Sequence, residues 1–359
     1  MRLVTIRPAD SAASDPGIQR VAVVLPSGRF LALGTLALIM PDRLAEEIEE
    51  LDLAAVIAID PEFGVLRETM AAAGAKNLEA VAIDPATVRV ASPIPRPGKI
   101  IGVGYNYLDH IREQGLERPV RPVLFSMFAN AVVADGEPVR HPAGTHALDL
   151  EAELAVVIGR RATRVAAANA LSYVGGYTAA NDVTARDWQG QAKALRPGET
   201  GDGQWLRAKG SDTFLPLGPV LVTADEVGDG RDLCIRSWRS AAAGPNANEP
   251  FQMQNGTTAD LLFGVAELIS IISQEVTLDP GDIVVTGTPS GVGVFREPQV
   301  FLEPGDVVTV EIEGIGKLTN PIVDVNGHAP ADSPAAKAMQ DIGKLPAAGA
   351  PAYRWSGGR

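Results

Sequence analysis

The sequence predicts an α+β, mainly β protein: a large domain of short strands with helices packed around it, preceded by a small N-terminal α/β domain. Three observations carry that expectation. Short apolar runs recur from Lys99 onward, separated by turn signals such as Pro280-Gly281-Asp282 and Pro304-Gly305-Asp306. Only a few stretches there keep a helical period, Thr258 to Gln274 being the clearest, with Leu261, Leu262, Val265, Leu268, Ile269 and Ile272 on one face. A Pro-rich joint, Ser92-Pro93-Ile94-Pro95-Arg96-Pro97-Gly98, separates this region from what precedes it.

In chain order, residues 1–91 form the expected small domain. Val21 to Leu25 and Phe30 to Leu33 flank Pro26-Ser27-Gly28-Arg29, a hairpin signal, and a helix is expected around Pro41 to Glu50, with Asp42 near its start. Residues 92–98 read as a linker and 99–326 as the domain that carries the chemistry. Its apolar runs are Ile100 to Val103, Leu154 to Ile158, Val220 to Val222, Ile283 to Val285 and Val307 to Ile312. Residues 327–359 form a tail rich in Ala, Pro and Gly.

At 359 residues the chain is long enough for about two domains. A net charge of −13 argues against a general nucleic-acid or anionic-membrane binder. The single cysteine, Cys234, excludes an internal disulfide and a Cys-rich zinc site, and is expected as a small buried residue. No secretory signal opens the sequence and no apolar run reaches membrane-spanning length, so the expected compartment is the cytoplasm.

The chemistry concentrates in five motifs. Glu151 and Glu153 lie one residue apart at the head of the apolar run ending at Gly159, so on a strand both project to one side. Two desolvated carboxylates there need either a divalent cation with hard-oxygen preference, or arginines and backbone N–H groups. Asp182, in Asn181-Asp182-Val183-Thr184-Ala185-Arg186-Asp187, is placed either to complete a set of three oxygen ligands or to cap the following turn. His110 and Glu113 sit three apart, so on a helix the carboxylate can orient the imidazole as a general base, or the two form a solvated surface pair. Lys209 can hold a carboxylate or offset a developing enolate, and Thr286 to Gly293 is a Gly-rich turn that either offers N–H groups to an anion or simply connects.

Taken in order, these pieces resemble the fumarylacetoacetate hydrolase superfamily. The matching blocks are Gly104-Tyr105-Asn106-Tyr107, Asp149 to Gly159, Gly176 to Gln189, Lys209 to Pro219, Thr258 to Phe263, Thr277 to Gly293 and Leu302 to Gly316. The resemblance implies a mixed β-sandwich roll and a homodimer with an embedded divalent ion, Mg²⁺ or Mn²⁺, with Ca²⁺ possible. It places the metal ligands on Glu151, Glu153 and Asp182, and the catalytic groups on His110, Glu113 and Lys209. Substrate contacts fall on Arg186, Gln189, Thr288 and Tyr105, and Thr213 is expected to help the metal site. Relatives often carry basic residues where this chain has Tyr105, Met127 and Met253, which points to a less charged substrate.

The activity expected on this basis is hydrolysis of a C–C bond in a 1,3-diketone or acylpyruvate-type oxo acid, in aromatic catabolism. Water activated by His110 and Glu113 would attack, and an enolate would leave. Decarboxylation, or keto–enol or double-bond isomerisation, of an oxo acid on the same site is the alternative. An inactive binding or structural homologue is the reading from a different class.

Overall fold

The computed structural model describes residues 1–9, 19–244 and 247–342. Pro245-Asn246 and tail residues 343–359 lie outside the described residues. The architecture is α+β and mainly β, as expected.

The strands that matter here are β1 (Arg2–Pro8), β2 (Arg20–Val24), β3 (Phe30–Ala32), β4 (Ile100–Gly104), β5 (Val123–Met127), β6 (Ala152–Ile158), β7 (Val174–Asn181), β8 (Leu215–Thr223), β9 (Cys234–Ser240), β10 (Pro250–Thr257), β11 (Ile283–Val285), β12 (Val307–Ile312) and β13 (Gly316–Val323). The larger sheet has eleven strands, with the path β3-β2-β1-β8-β7-β6-β11-β4-β5. A second sheet runs β10-β9-β12-β13 and ends on the short strand Val139–Arg140. The N-terminal strands continue the larger sheet, because β1 pairs antiparallel with β8 at Leu3↔Leu221. The Pro-rich joint is packed against it: Ser92, Pro93 and Ile94 are buried, and the Thr5 hydroxyl donates to the Pro93 carbonyl at 3.0 Å.

The centre of the sheet explains the continuous apolar runs. Along β6, Leu154, Val156 and Ile158 enter one core, while Ala155 and Val157 enter the other. Both faces are covered, so apolar residues occupy both parities. The parity of Ala155 and Val157 is also that of Glu153 and Glu151, so one face changes from apolar to acidic at the strand's start. Asp182 lies one residue past the end of β7, the neighbouring strand, and its N–H donates to the Glu151 carbonyl at 2.9 Å.

Three expectations change. The helix placed at Thr258 to Gln274 occupies Val265–Glu275 only. Asn106 holds the preceding turn out of it: its carbonyl accepts Leu262 N–H at 2.8 Å and its amide oxygen accepts Phe263 N–H at 2.9 Å. The helix expected at Pro41 to Glu50 is a turn followed by a 3₁₀ segment, Glu46–Glu50, while a helix forms earlier, at Leu33–Ile39. Cys234 is half-buried on β9 rather than a core residue. The hairpin between β2 and β3 forms with Ala22 opposite Ala32. Of the tail, Pro334–Ile342 is a helix.

Gly293 marks where the fold tolerates least: an added Cβ would lie 1.8 Å from the Val300 carbonyl oxygen and 2.7 Å from an Asp149 carboxylate oxygen. Both neighbours are fixed, so Gly293→Ala is expected to lose at least about 1–3 kcal/mol of stability, read from the urea midpoint.

Candidate metal and substrate site

The site forms where β6 and β7 end together, roofed by two short helices, α1 (Leu108–Glu113) and α3 (Trp205–Lys209), with α2 (Arg186–Gln189) alongside. Glu151, Glu153 and Asp182 are all buried, and each offers a carboxylate oxygen within 4.8 Å of the others, a candidate metal-ligand cluster. Sequence left an ion and a set of basic partners as alternatives, and the structure holds elements of both. Lys209 Nζ donates to Glu151 at 2.8 Å, to Asp182 at 2.5 Å and to the Thr184 hydroxyl at 2.9 Å, which engages all three of its protons. Arg186 binds Asp149 at 2.9 Å and Glu151 at 2.7 Å. Glu153 accepts the Gly287 N–H at 2.7 Å.

These partners do not balance the charge. Four buried carboxylates, Asp149, Glu151, Glu153 and Asp182, face two buried cations, Arg186 and Lys209, an excess of two negative charges when all four are ionised. One oxygen of Asp182, Oδ1, is buried without a hydrogen-bond partner. Asp182 caps no helix; its other oxygen takes Lys209. An orphaned carboxylate oxygen, hard-oxygen donors and a twofold charge deficit all fit a divalent cation.

The electrostatics agree. Burial raises Asp182 to about 7, aided by Glu151 and opposed by Lys209 and Arg186. Burial likewise lifts Glu153 well above the usual carboxylate range, with Asp182 and Glu151 adding to it. Burial acts on Glu151 too, but Lys209 and Arg186 outweigh it and hold that carboxyl at about 2.

The His110–Glu113 pair is not solvated. His110 is buried, and its Nδ1 lies 2.5 Å from Glu113 Oε1. The Gly-rich turn holds this helix in place rather than presenting N–H groups to an anion. Ser290 N–H and hydroxyl donate to Asp109 at 3.1 and 2.7 Å, and Gly291 N–H donates to Glu113 Oε2 at 3.1 Å. With Gly287 N–H on Glu153, the donors of this turn serve the acids of the site. The Thr288 hydroxyl donates to the Ala152 carbonyl and accepts from Gln254, at 2.9 and 2.7 Å.

One pocket collects these groups; its empty space, open at the mouth, is about 390 Å³. Ten predicted residues meet there: Tyr105, His110, Glu151, Glu153, Asp182, Arg186, Gln189, Lys209 and Thr288 line it directly, and Glu113 joins through His110. Thr213 is not among them; its hydroxyl accepts Arg140 N–H at 2.8 Å. Met127 and Met253 are also elsewhere, buried in two different cores, so of the three departures only Tyr105 bears on the pocket. Sequence reasoning missed Asp149, although its spacing from Glu151 repeats the Glu151–Glu153 interval. It also missed Gln114, Gln191 and the aromatic wall of Phe125 and Trp205, whose rings meet edge to face with centroids 5.3 Å apart. No local pattern marks those four.

Residues 99–323 match the sequence profile described as fumarylacetoacetate (FAA) hydrolase C-terminal. The chain belongs to the fumarylacetoacetate hydrolase family. Among its relatives is the mitochondrial oxaloacetate tautomerase fahd2 of Xenopus laevis, 36% identical over 326 residues, 90% of each chain. Another is the mitochondrial oxaloacetate tautomerase FAHD2A of Bos taurus, 45% identical over 236 residues, 66% of this chain and 70% of that one. The fumarylacetoacetate hydrolase of Exiguobacterium antarcticum superposes with a TM-score of 0.68 at 30% identity, covering 90% of this chain and 99% of that one. The fold is thus the family's mixed β-sandwich roll.

These relatives correct two expectations. The expected C–C bond hydrolase of aromatic catabolism gives way, because the curated relatives are oxaloacetate tautomerases. The physical reason is that a His–Glu pair beside a metal-ligand cluster moves protons in either reaction, so the motifs could not choose between them. The cytoplasmic expectation falls as well, since the same relatives are mitochondrial by name. Among the described residues, no helix is long and apolar enough to cross a membrane.

Because burial raises Asp182 to about 7 and lifts Glu153 as well, a divalent ion binding there competes with protons. Its affinity is expected to rise with pH between about 6 and 8, with proton release seen as buffer-dependent binding heat in calorimetry. The raised carboxyls also make the ion-free fold lose stability as pH rises through about 7, a loss that added Mg²⁺ should reverse in thermal melts.

Proposed function

We propose that the protein is a divalent-metal-dependent keto–enol tautomerase acting on a 2-oxo acid, with oxaloacetate as the first candidate substrate. The observation that carries this reading is that a buried, oriented imidazole and a carboxylate cluster in need of a cation line one small pocket. The names of the relatives supply the substrate.

Tautomerisation removes a proton from C3 of the keto acid and adds one to the C2 oxygen. It needs no water as reactant and no leaving group. Glu113 accepts the Nδ1 proton of His110, which leaves Nε2 as the ring atom that exchanges a proton with C3. Gly291 fixes the second oxygen of Glu113, so the pair is held at one orientation. Glu151, Glu153 and Asp182 would hold the ion, Mg²⁺ or Mn²⁺ by the all-oxygen donor set. When bound, it supplies Lewis acidity toward the oxygens of the 2-oxo acid. Lys209 and Arg186 keep Glu151 ionised, and they hold Asp182 and Asp149 respectively in place. Tyr105, Gln189 and Thr288 shape the substrate's side of the pocket.

Three further proposals accompany this one. Residues 99–326 form the catalytic unit, with 1–91 as a small domain docked on its sheet. The protein is a homodimer, supported by exposed Val120, Leu124 and Phe128 on or beside the edge strand β5. It does not bind nucleic acid, in keeping with its net charge of −13.

The test is the ketonisation rate of oxaloacetate enol, followed by ultraviolet absorbance with Mg²⁺ present. His110→Ala should lower the enzymatic rate by about 10²–10⁴-fold while Mg²⁺ binding by calorimetry persists. Glu151→Gln should remove both metal binding and acceleration. No acceleration by the unmodified protein over free Mg²⁺ would reject the reading.

A further inference from the structure

Gln114 follows Glu113 at the end of α1 and lines the same pocket as His110. Its Nε2 is buried and has no hydrogen-bond partner. Two other glutamines line the pocket, and the protein engages their side-chain oxygens: Gln189 accepts from Arg186 at 3.3 Å, and Gln191 accepts from Lys193 N–H at 3.5 Å. A dry, unpaired amide beside a ligand pocket is the mark of a group whose partner arrives with the ligand.

The charge of the pocket says what that partner is. Both pocket cations lie against the acids of the site: Lys209 donates all three protons to protein oxygens, and Arg186 binds Asp149 through Nε and Glu151 through Nη1, with Nη2 left unpartnered beside the metal-ligand cluster. Among the described residues lining the pocket, no cation stands apart from the metal-ligand cluster to receive a second acid group. Part of the lining is aromatic, Phe125 and Trp205. A second carboxylate placed away from the cluster is therefore left with neutral donors, and Gln114 supplies one that is buried and unpartnered.

We propose that Gln114 is a specificity residue: its side-chain amide donates to the distal carboxylate of a short 2-oxo diacid, and so separates diacids from 2-oxo monoacids of the same length. The proposal rests on the oxo-acid reading of the site. The amide sits one residue from Glu113, so the contact also ties the far end of the substrate to the element that carries the proton-transfer pair.

The comparison is between oxaloacetate and 2-oxobutanoate, which replaces the distal carboxylate with a methyl group. Both are measured in the full chain with Mg²⁺, by kcat/KM for enolisation and by binding calorimetry. Gln114→Leu should lower the diacid-to-monoacid ratio about tenfold through KM, the size expected for one hydrogen bond to a charged group. Gln114→Glu, equal in size but acidic, should lower the ratio further, and turnover of 2-oxobutanoate reports that each variant is folded. A ratio within twofold of the unmodified protein in both variants overturns the proposal, as does an equal loss on both acids. If the unmodified protein binds both acids without enolising them, the tautomerase reading fails. The calorimetric ratio then decides the role of Gln114 alone.

Discussion

The structure depends on an imbalance of buried charge. Asp149, Glu151, Glu153 and Asp182 come together where only Arg186 and Lys209 can answer them. Isolated carboxylates at such depth would be neutralised by protonation, and burial does lift Glu153 and Asp182. Glu151 stays ionised because both cations reach it. The cluster is thus organised around an ionised Glu151, with two further carboxyls, raised by burial, whose protons a bound cation would displace. That arrangement ties metal binding, pH and the stability of the sheet ends into one equilibrium.

The turn after β11 joins this cluster to the proton-transfer pair. Gly287 holds Glu153, while Ser290 and Gly291 hold Asp109 and Glu113 on α1. A single stretch of backbone therefore sets the position of a candidate metal ligand and of the imidazole's orienting carboxylate. Asn106 performs a related task from the other side, bonding Phe263 and the Thr286 carbonyl so that α1, the turn and the helix Val265–Glu275 keep one geometry. Arg186, a substrate contact by resemblance, is bound to two of the site's acids. The groups facing substrate include amides and aromatics that carry no local signature.

Legibility followed chemistry that repeats along the chain. Glu151 and Glu153 could be paired from strand alternation alone, and His110 with Glu113 from helical spacing, because those contacts are local. The β2–β3 hairpin was legible for the same reason. The helix at 258–274 was misplaced because Asn106, more than 150 residues earlier, pulls its first turns out of register. Met127 and Met253 bore on substrate charge by resemblance but lie in cores, since a strand's parity relative to a distant pocket is not written locally.

By itself, the sequence determined the α+β class, the carboxylates that share a strand face, the oriented histidine and the family that combines them. These follow from periodicity and short-range spacing, which the backbone enforces wherever the chain goes. Only the tertiary structure decided that Lys209 and Arg186 lie against the acids, that Asp182 keeps an unpartnered oxygen, and that Gln114 faces the pocket unpaired. Each of those is a balance of partners drawn from separate strands and helices. Such a balance exists only once burial has removed water as the alternative partner.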